Sequence, residues 1–238
     1  QRDATGGWRK YTYGQTLEAV KSIAQALLNR GLTPETPVAI LSENSIEHGL
    51  LAFAALHAGI PHAPVSPAYS LRSTDFVKLR QCIDLLTPGL IFVADGKKYE
   101  SALRAVAGKT EILVVANFPE NLPATPFENL LKTVPGPAVE QAYHNIRPDT
   151  IAKILFTSGS TGPPKGVINT HGNICANWQQ IRQTIPFLAD DLLLLDWALP
   201  GVMSSDLMKE WSRFLLRKAI HGATVVVATV HDLDDFDR

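Results

Sequence analysis

Ten consecutive residues, 157–166, combine four hydroxyl side chains, three glycines and a lysine directly after an apolar run. Glycines let backbone N–H groups approach an anion closely, hydroxyls donate hydrogen bonds to its oxygens, and a lysine adds a positive charge. The composition predicts a loop that holds phosphate groups, with the tail of a nucleoside triphosphate as the ligand. The candidate binding residues are Thr157, Ser158, Gly159, Ser160, Thr161, Gly162 and Lys165.

Two other interpretations of this segment are weaker. A flexible Gly/Ser connection is one alternative, but linkers seldom follow a buried strand so abruptly. A Walker A loop needs a glycine before its lysine and a hydroxyl after it, whereas Pro164 precedes Lys165 and Gly166 follows it. The segment also continues into a strand-like run and not directly into a helix. A kinase or GTPase phosphate loop is therefore disfavoured.

The elements that must position this loop alternate between strand and helix patterns. Such alternation is typical of βα units that wind a largely parallel sheet. Apolar runs predict strands at residues 38–41, 90–94, 112–116, 151–156 and 166–169. Six prolines between residues 117 and 149 predict irregular chain with one helical turn at 128–131. We expect an α/β fold with largely parallel sheets flanked by helices.

Capping residues mark the expected helix ends. Thr16 is expected to cap the first helix, which Gly31 ends in a left-handed conformation. Asn44 with Glu47 resembles a capping box at the start of the second helix. Asn173 is expected to cap a helix that follows the phosphate-holding segment.

Composition limits the partners. The 238 residues contain 22 Lys+Arg and 23 Asp+Glu, and a net charge of -1 without a long basic run argues against nucleic acid. The longest uncharged stretch is broken by glycine and proline and is too short in its apolar part to span a bilayer.

Cys82 and Cys175 are far apart in the sequence, which indicates neither a disulfide framework nor a metal site and fits a reducing, cytoplasmic setting. His48 and His57 lie beside apolar helix positions, where packing is commoner than ligation.

Residues 154–171 resemble the signature loop of the AMP-binding, adenylate-forming superfamily, which includes acyl-CoA synthetases, luciferases and peptide-synthetase adenylation domains. The similarity includes Ile154-Leu155-Phe156, the whole of 157–166, and the following Val167-Ile168-Asn169-Thr170-His171. Segments 38–47 and 64–71 are similar to feruloyl-CoA synthases, the hydroxycinnamate-activating members. The match extends over roughly residues 2–197.

This resemblance implies a two-step ligase that uses ATP, Mg²⁺ and, as a substrate, coenzyme A. A carboxylic acid such as ferulic or another hydroxycinnamic acid attacks the α-phosphate of ATP to give an acyl adenylate and pyrophosphate, and the thiol of coenzyme A then displaces AMP. The implied role of Lys165 is to place its charge beside the β and γ phosphates. The implied hydroxyl donors are Thr157, Ser158, Ser160 and Thr161, and the implied backbone contacts are at Gly159 and Gly162.

The resemblance also predicts how the chain is organised. Residues 1–197 are expected to be part of the AMP-binding N-terminal domain, and 198–238 a divergent continuation, through either an insertion or a shifted reading frame. The magnesium-binding glutamate, the ribose-binding aspartate and the C-terminal lid domain of the family find no counterpart before Arg238. We therefore assign no catalytic or metal-binding residue and expect little ligase activity from this chain alone.

Three functional alternatives remain open at this point. Two are enzymes, a fatty-acyl-CoA ligase and an adenylation domain that loads a carrier protein. The third is a non-catalytic remnant that binds nucleotide without turnover. The oligomeric state does not follow from the sequence.

Overall fold

The computed structural model describes residues 1, 7–157, 162–184, 193–196 and 225–228. It contains two compact units, Gln1–Thr170 and His171–Arg238. The described part of the second unit consists of one helix, His171–Thr184, and two short parallel strands, Leu193–Asp196 and Val225–Ala228. The first unit carries the described part of the phosphate-holding segment.

A seven-stranded sheet forms the centre of the first unit. Its strands are β1 (Val38–Ile40), β2 (His62–Pro64), β3 (Leu90–Asp95), β4 (Glu111–Ala116), β5 (Thr125–Pro126), β6 (Ile151–Thr157) and β7 (Lys165–Thr170). They lie in the order β5-β4-β3-β1-β2-β6-β7. Every neighbouring pair is parallel except β6 and β7, which are antiparallel.

Helices cover both faces of this sheet. They are α1 (Tyr13–Asn29), α2 (Ile46–His57), α3 (Pro67–Leu71), α4 (Val77–Leu86), α5 (Glu100–Val106), α6 (Glu128–Leu131) and α7 (Pro137–His144). Alternate residues of the strands enter two separate apolar clusters, one with α1, α2, α6 and α7, the other with α4 and α5. In β1, Val38 and Ile40 belong to the first cluster and Ala39 to the second. Burial on both faces explains why the parallel strands are almost continuously apolar. The α/β prediction is confirmed.

The first helix begins earlier than its sequence pattern suggests. Its N-cap is Thr12, whose Oγ1 accepts a hydrogen bond from the Gln15 backbone N–H at 3.2 Å. The Gln15 side chain in return accepts the Thr12 backbone N–H at 2.9 Å, which completes a capping box. The prediction of Thr16 as the cap is wrong, because Thr16 lies inside the first turn and its hydroxyl donates to the Thr12 carbonyl. Gly31 ends the helix with φ +69°, as predicted.

Two further cap predictions are wrong. The N-cap of α2 is Ser45 and not Asn44, since Ser45 Oγ accepts the His48 backbone N–H at 3.0 Å. Both residue types make good caps, and a sequence with two of them in succession leaves the choice to tertiary packing. In the second unit the helix starts at His171, so Asn173 lies within its first turn.

The proline-rich region between residues 117 and 149 is more ordered than predicted. The expected helical turn is α6, but the region also contributes β5 and α7. Pro137 occupies the first turn of α7, where its fixed φ suits the helix and its missing N–H leaves no intrahelical bond unmade. This proline therefore starts a helix that the sequence pattern led us to omit.

The corrected cap of α1 gives a stability prediction. Thr12→Ala removes the side-chain acceptor of the capping box, and we expect a loss of about 1 kcal/mol in the free energy of unfolding. Thr16→Ala is the matched control, expected to change it by less than about 0.5 kcal/mol, because alanine is favoured inside a helix. Urea denaturation followed by circular dichroism measures both. A larger loss for Thr16→Ala would contradict the assignment.

Candidate phosphate-binding site

The phosphate-holding segment connects the antiparallel strands β6 and β7. Their pairing runs in unbroken register from Lys153 opposite Asn169 to Thr157 opposite Lys165. Thr157 and Lys165 are therefore the last pair before the connecting loop, and both are exposed. Residues directly opposite in antiparallel strands have Cβ atoms about 4.5–5.5 Å apart on the same face. The structure thus brings together two of the seven predicted site residues.

The other five candidates lie within the connecting loop. Ser158, Gly159, Ser160 and Thr161 lie outside the described residues. Gly162 is exposed, and a Cβ added there meets no atom within 4 Å. Packing therefore does not require glycine at this position, which is consistent with a backbone kept open for an anion.

Lys165 carries a charge that no described residue neutralises. Its side chain is exposed, and within the described part of the chain it enters no ion pair or hydrogen bond. By contrast, Lys21 pairs with Glu140 at 2.5 Å, and Lys98 pairs with Glu43. An ammonium without a local carboxylate is available to a phosphate.

The chain on either side of Lys165 is constrained. Pro164, immediately before it, is buried and has a ring-fixed φ. Gly166, immediately after it, pairs with Phe156, which packs against the core cluster of α4 and α5. The lysine therefore follows a buried proline and precedes an exposed glycine that is held in register by pairing with Phe156.

Sequence reasoning missed a buried lysine in β6, the strand that leads into the loop. Lys153 is 0% exposed and lies opposite His62, also 0% exposed, where β6 pairs with β2. Both residues belong to the set of buried polar groups, which are rare and usually interact with other polar groups. The available signal was a lysine inside an otherwise apolar run. We assign it no chemical role in the site.

His48 and His57 are packed side chains, as the sequence predicts. The Nδ1 atom of His48 lies 3.3 Å from the carbonyl oxygen of Glu43, and the side chain is buried at the start of α2. Burial lowers the pKa of His48 to about 4, although the contact with the Glu43 carbonyl acts in the opposite direction. The His57 ring stacks on Tyr143 with ring centres 4.6 Å apart.

The part of the chain that the structure describes contains neither a cluster of metal ligands nor a membrane-spanning helix. No three or more His, Cys, Asp or Glu side chains of these residues come together in a way that suits a metal ion. Among the helices described, none has the length and apolar content needed to cross a bilayer.

Comparison with known proteins relates the chain to AMP-binding enzymes. The sequence model of the family described as AMP-binding enzyme matches residues 1–238. Phosphinothricin tripeptide synthetase PhsB from Streptomyces viridochromogenes is 30% identical over 164 residues, which are 69% of this chain and 12% of that protein. The peroxisomal long chain acyl-CoA synthetase 6 from Arabidopsis thaliana is 29% identical over 199 residues, 79% of this chain and 28% of that protein.

Solved structures share the fold. ATP-bound MatB from Rhodopseudomonas palustris superposes with a TM-score of 0.65 at 23% identity, covering 99% of this chain and 43% of that chain. The present chain therefore spans less than half the length of each of these three proteins.

The burial of His48 predicts a pH dependence of stability. Its pKa is about 4 in the folded chain and 6.5 ordinarily, so the unfolded chain binds the additional proton between these values. The contribution of His48 to the free energy of unfolding is then fully present above pH 6.5 and falls by about 3 kcal/mol as the pH drops to 4. Urea denaturation of the wild type and of His48→Gln across this range measures this loss of stability, which the variant should not show. His144 is exposed, and His144→Gln is the control, which should keep the wild-type pH dependence. If His144→Gln reduced the pH dependence of the free energy of unfolding as much as His48→Gln does, the assignment would be refuted.

Proposed function

Because the chain belongs to the AMP-binding enzyme family, we propose that residues 157–165 hold the polyphosphate of ATP during formation of an acyl adenylate. The observation that carries this proposal is the pairing of Thr157 with Lys165 at the mouth of the loop. That pairing brings the Thr157 hydroxyl to the same face of the hairpin as the Lys165 ammonium, whose charge no described residue neutralises. A polyphosphate is an anion whose oxygens accept hydrogen bonds from both.

In the proposed reaction, a carboxylate oxygen of the acid attacks the α-phosphorus of ATP. The bond between that phosphorus and the oxygen bridging to the β-phosphate breaks, and pyrophosphate leaves with the additional negative charge. Lys165 stabilises this charge beside the β and γ phosphates, and the Thr157 hydroxyl donates a hydrogen bond to a phosphate oxygen. Charges fixed before the reaction stabilise the transition state because they need no reorganisation.

Mg²⁺, when bound, would neutralise part of the phosphate charge. No described residue is assigned to hold it, since the described residues form no cluster of metal ligands.

Coenzyme A is the proposed acceptor in a second step, in which its sulfur bonds to the acyl carbon and AMP departs. The similarity to an acyl-CoA synthetase supports that acceptor. We also propose a cytoplasmic location, which the presence of only two cysteines, far apart in the sequence, supports.

The proposed acid is ferulic acid or another hydroxycinnamic acid. Its support is the resemblance of segments 38–47 and 64–71 to feruloyl-CoA synthases. These segments include β1, the start of α2 and α3, so they are mainly structural elements of the first unit. A second candidate function is an adenylation domain that loads a carrier protein. The 30% identity to a peptide synthetase favours it.

Replacement of Lys165 tests the phosphate-holding role. We expect Lys165→Ala to weaken ATP and pyrophosphate binding about 10- to 100-fold, the effect of losing a charged hydrogen bond. AMP lacks the β and γ phosphates, so its affinity should stay unchanged. Isothermal titration calorimetry measures all three ligands. Lys109→Ala, an exposed lysine in a turn, is the matched control, and equal affinities in wild type and Lys165→Ala would contradict the proposal.

A panel of acids tests the choice of substrate. Acid-dependent exchange of labelled pyrophosphate into ATP is measured for the protein expressed from its complete reading frame, with ferulic acid, a long-chain fatty acid and a set of amino acids. Exchange with ferulic acid, followed by thioester formation with coenzyme A, is the expected result. Exchange with an amino acid alone would favour the carrier-protein alternative. Tight ATP binding without any exchange would instead support a non-catalytic remnant.

A further inference from the structure

Gly166 is a position at which the structure leaves no ordinary space for a side chain. A Cβ built there lies 3.1 Å from Cγ2 of Ile154, and 3.7 Å from Cδ2 of Leu85 and Cε1 of Phe156. The first distance is tighter than ordinary van der Waals contact, so a neighbour would have to move. The φ of Gly166 is not among the positive glycine values of the described residues. Close packing against Ile154, and not backbone conformation, therefore disfavours a side chain here.

The neighbours of Gly166 belong to well-packed elements. Ile154 and Phe156 are partly buried and pack against the core cluster that contains α4 and α5. Leu85 is itself exposed, but its helix α4 is anchored by four buried side chains, Leu79, Cys82, Ile83 and Leu86. Side chains that pack against a core have little free volume to absorb a displacement, whereas the first four residues of β7 are exposed. A methyl group at 166 would accordingly shift β7 more readily than it would shift β6 or α4.

Such a shift reaches the site directly, because Lys165 is the preceding residue of the same strand. Strand alternation directs the Gly166 side-chain position toward Ile154 and α4, and the Lys165 side chain to the opposite face of β7. We propose that Gly166 is a positioning residue, which sets the depth of β7 against Ile154 and thereby the location of the Lys165 ammonium. This inference rests on the proposed phosphate-binding function of the loop.

A rescue experiment tests the inference in the protein expressed from its complete reading frame. Gly166→Ala introduces the methyl group, and Ile154→Leu removes the opposing Cγ2 while keeping the number of side-chain carbons. We expect Gly166→Ala to weaken pyrophosphate binding about tenfold through misplacement of the lysine, with AMP affinity unchanged. The double variant should recover most of the pyrophosphate affinity. Titration calorimetry with pyrophosphate and with AMP gives both values.

Gly49→Ala is the matched control. Gly49 lies within α2 and a Cβ added there meets nothing within 4 Å, so the same substitution should leave both affinities unchanged. The ratio of the two affinities separates positioning from a general loss of structure, which would lower both together.

Three results would overturn the inference. They are unchanged pyrophosphate binding in Gly166→Ala, equal loss of pyrophosphate and AMP binding, and no recovery in the double variant. If Lys165→Ala still weakens pyrophosphate binding in these cases, the proposed function survives without the inference. Wild-type protein that binds neither ATP nor pyrophosphate would refute both.

Discussion

The antiparallel pairing of β6 with β7 is the constraint on which the candidate site depends. In the first unit, every other neighbouring strand pair of the sheet is parallel, so a connection between two such strands must run back from one end of the strands to the other. Within this sheet, only β6 and β7 have the end of one strand beside the start of the next, joined by the residues between Thr157 and Lys165. The loop therefore starts at Thr157 and ends at Lys165 within a fixed geometry. Its two ends are positioned by backbone hydrogen bonds between strands and not by the loop itself.

The same hairpin separates packing from chemistry through strand alternation. Ile154, Phe156 and Gly166 share the face that packs toward α4 and α5, whereas Thr157 and Lys165 share the other. Removal of apolar surface from water stabilises the first face, and this fixes the backbone from which the polar residues project. The chain belongs to the AMP-binding enzyme family, and its fold matches the N-terminal domain of adenylate-forming enzymes.

The sequence predicts the parts of this structure that rest on local chemistry. The apolar strands, the helix end at Gly31 and the loop composition are readable because each depends on residues close in the chain. The start of α2 was misplaced by one residue, since Asn44 and Ser45 are both competent caps and the choice depends on packing. Helix α7 was omitted because a proline that begins a helix resembles one that interrupts it.

Other features depend on partners that are distant in the sequence. The antiparallel direction of β7 and the burial of Lys153 beside His62 follow from which strands become neighbours, and apolar runs contain no such information. The tight space at Gly166 likewise arises from Ile154, which is 12 residues away in the chain. The family can be read from the sequence, because the residues that carry the resemblance form one continuous motif.

The break in register between Ile151 and Lys153 affects how this region can change during evolution. One additional residue of β6 is accommodated there, between the pairing with β2 on one side and with β7 on the other. Beyond that bulge, inserting or deleting a single residue in either strand would reverse which side chains face outward. Variation in length among descendants of this sequence should consequently occur mainly in the loop between Thr157 and Lys165, whereas β6 and β7 keep a constant length.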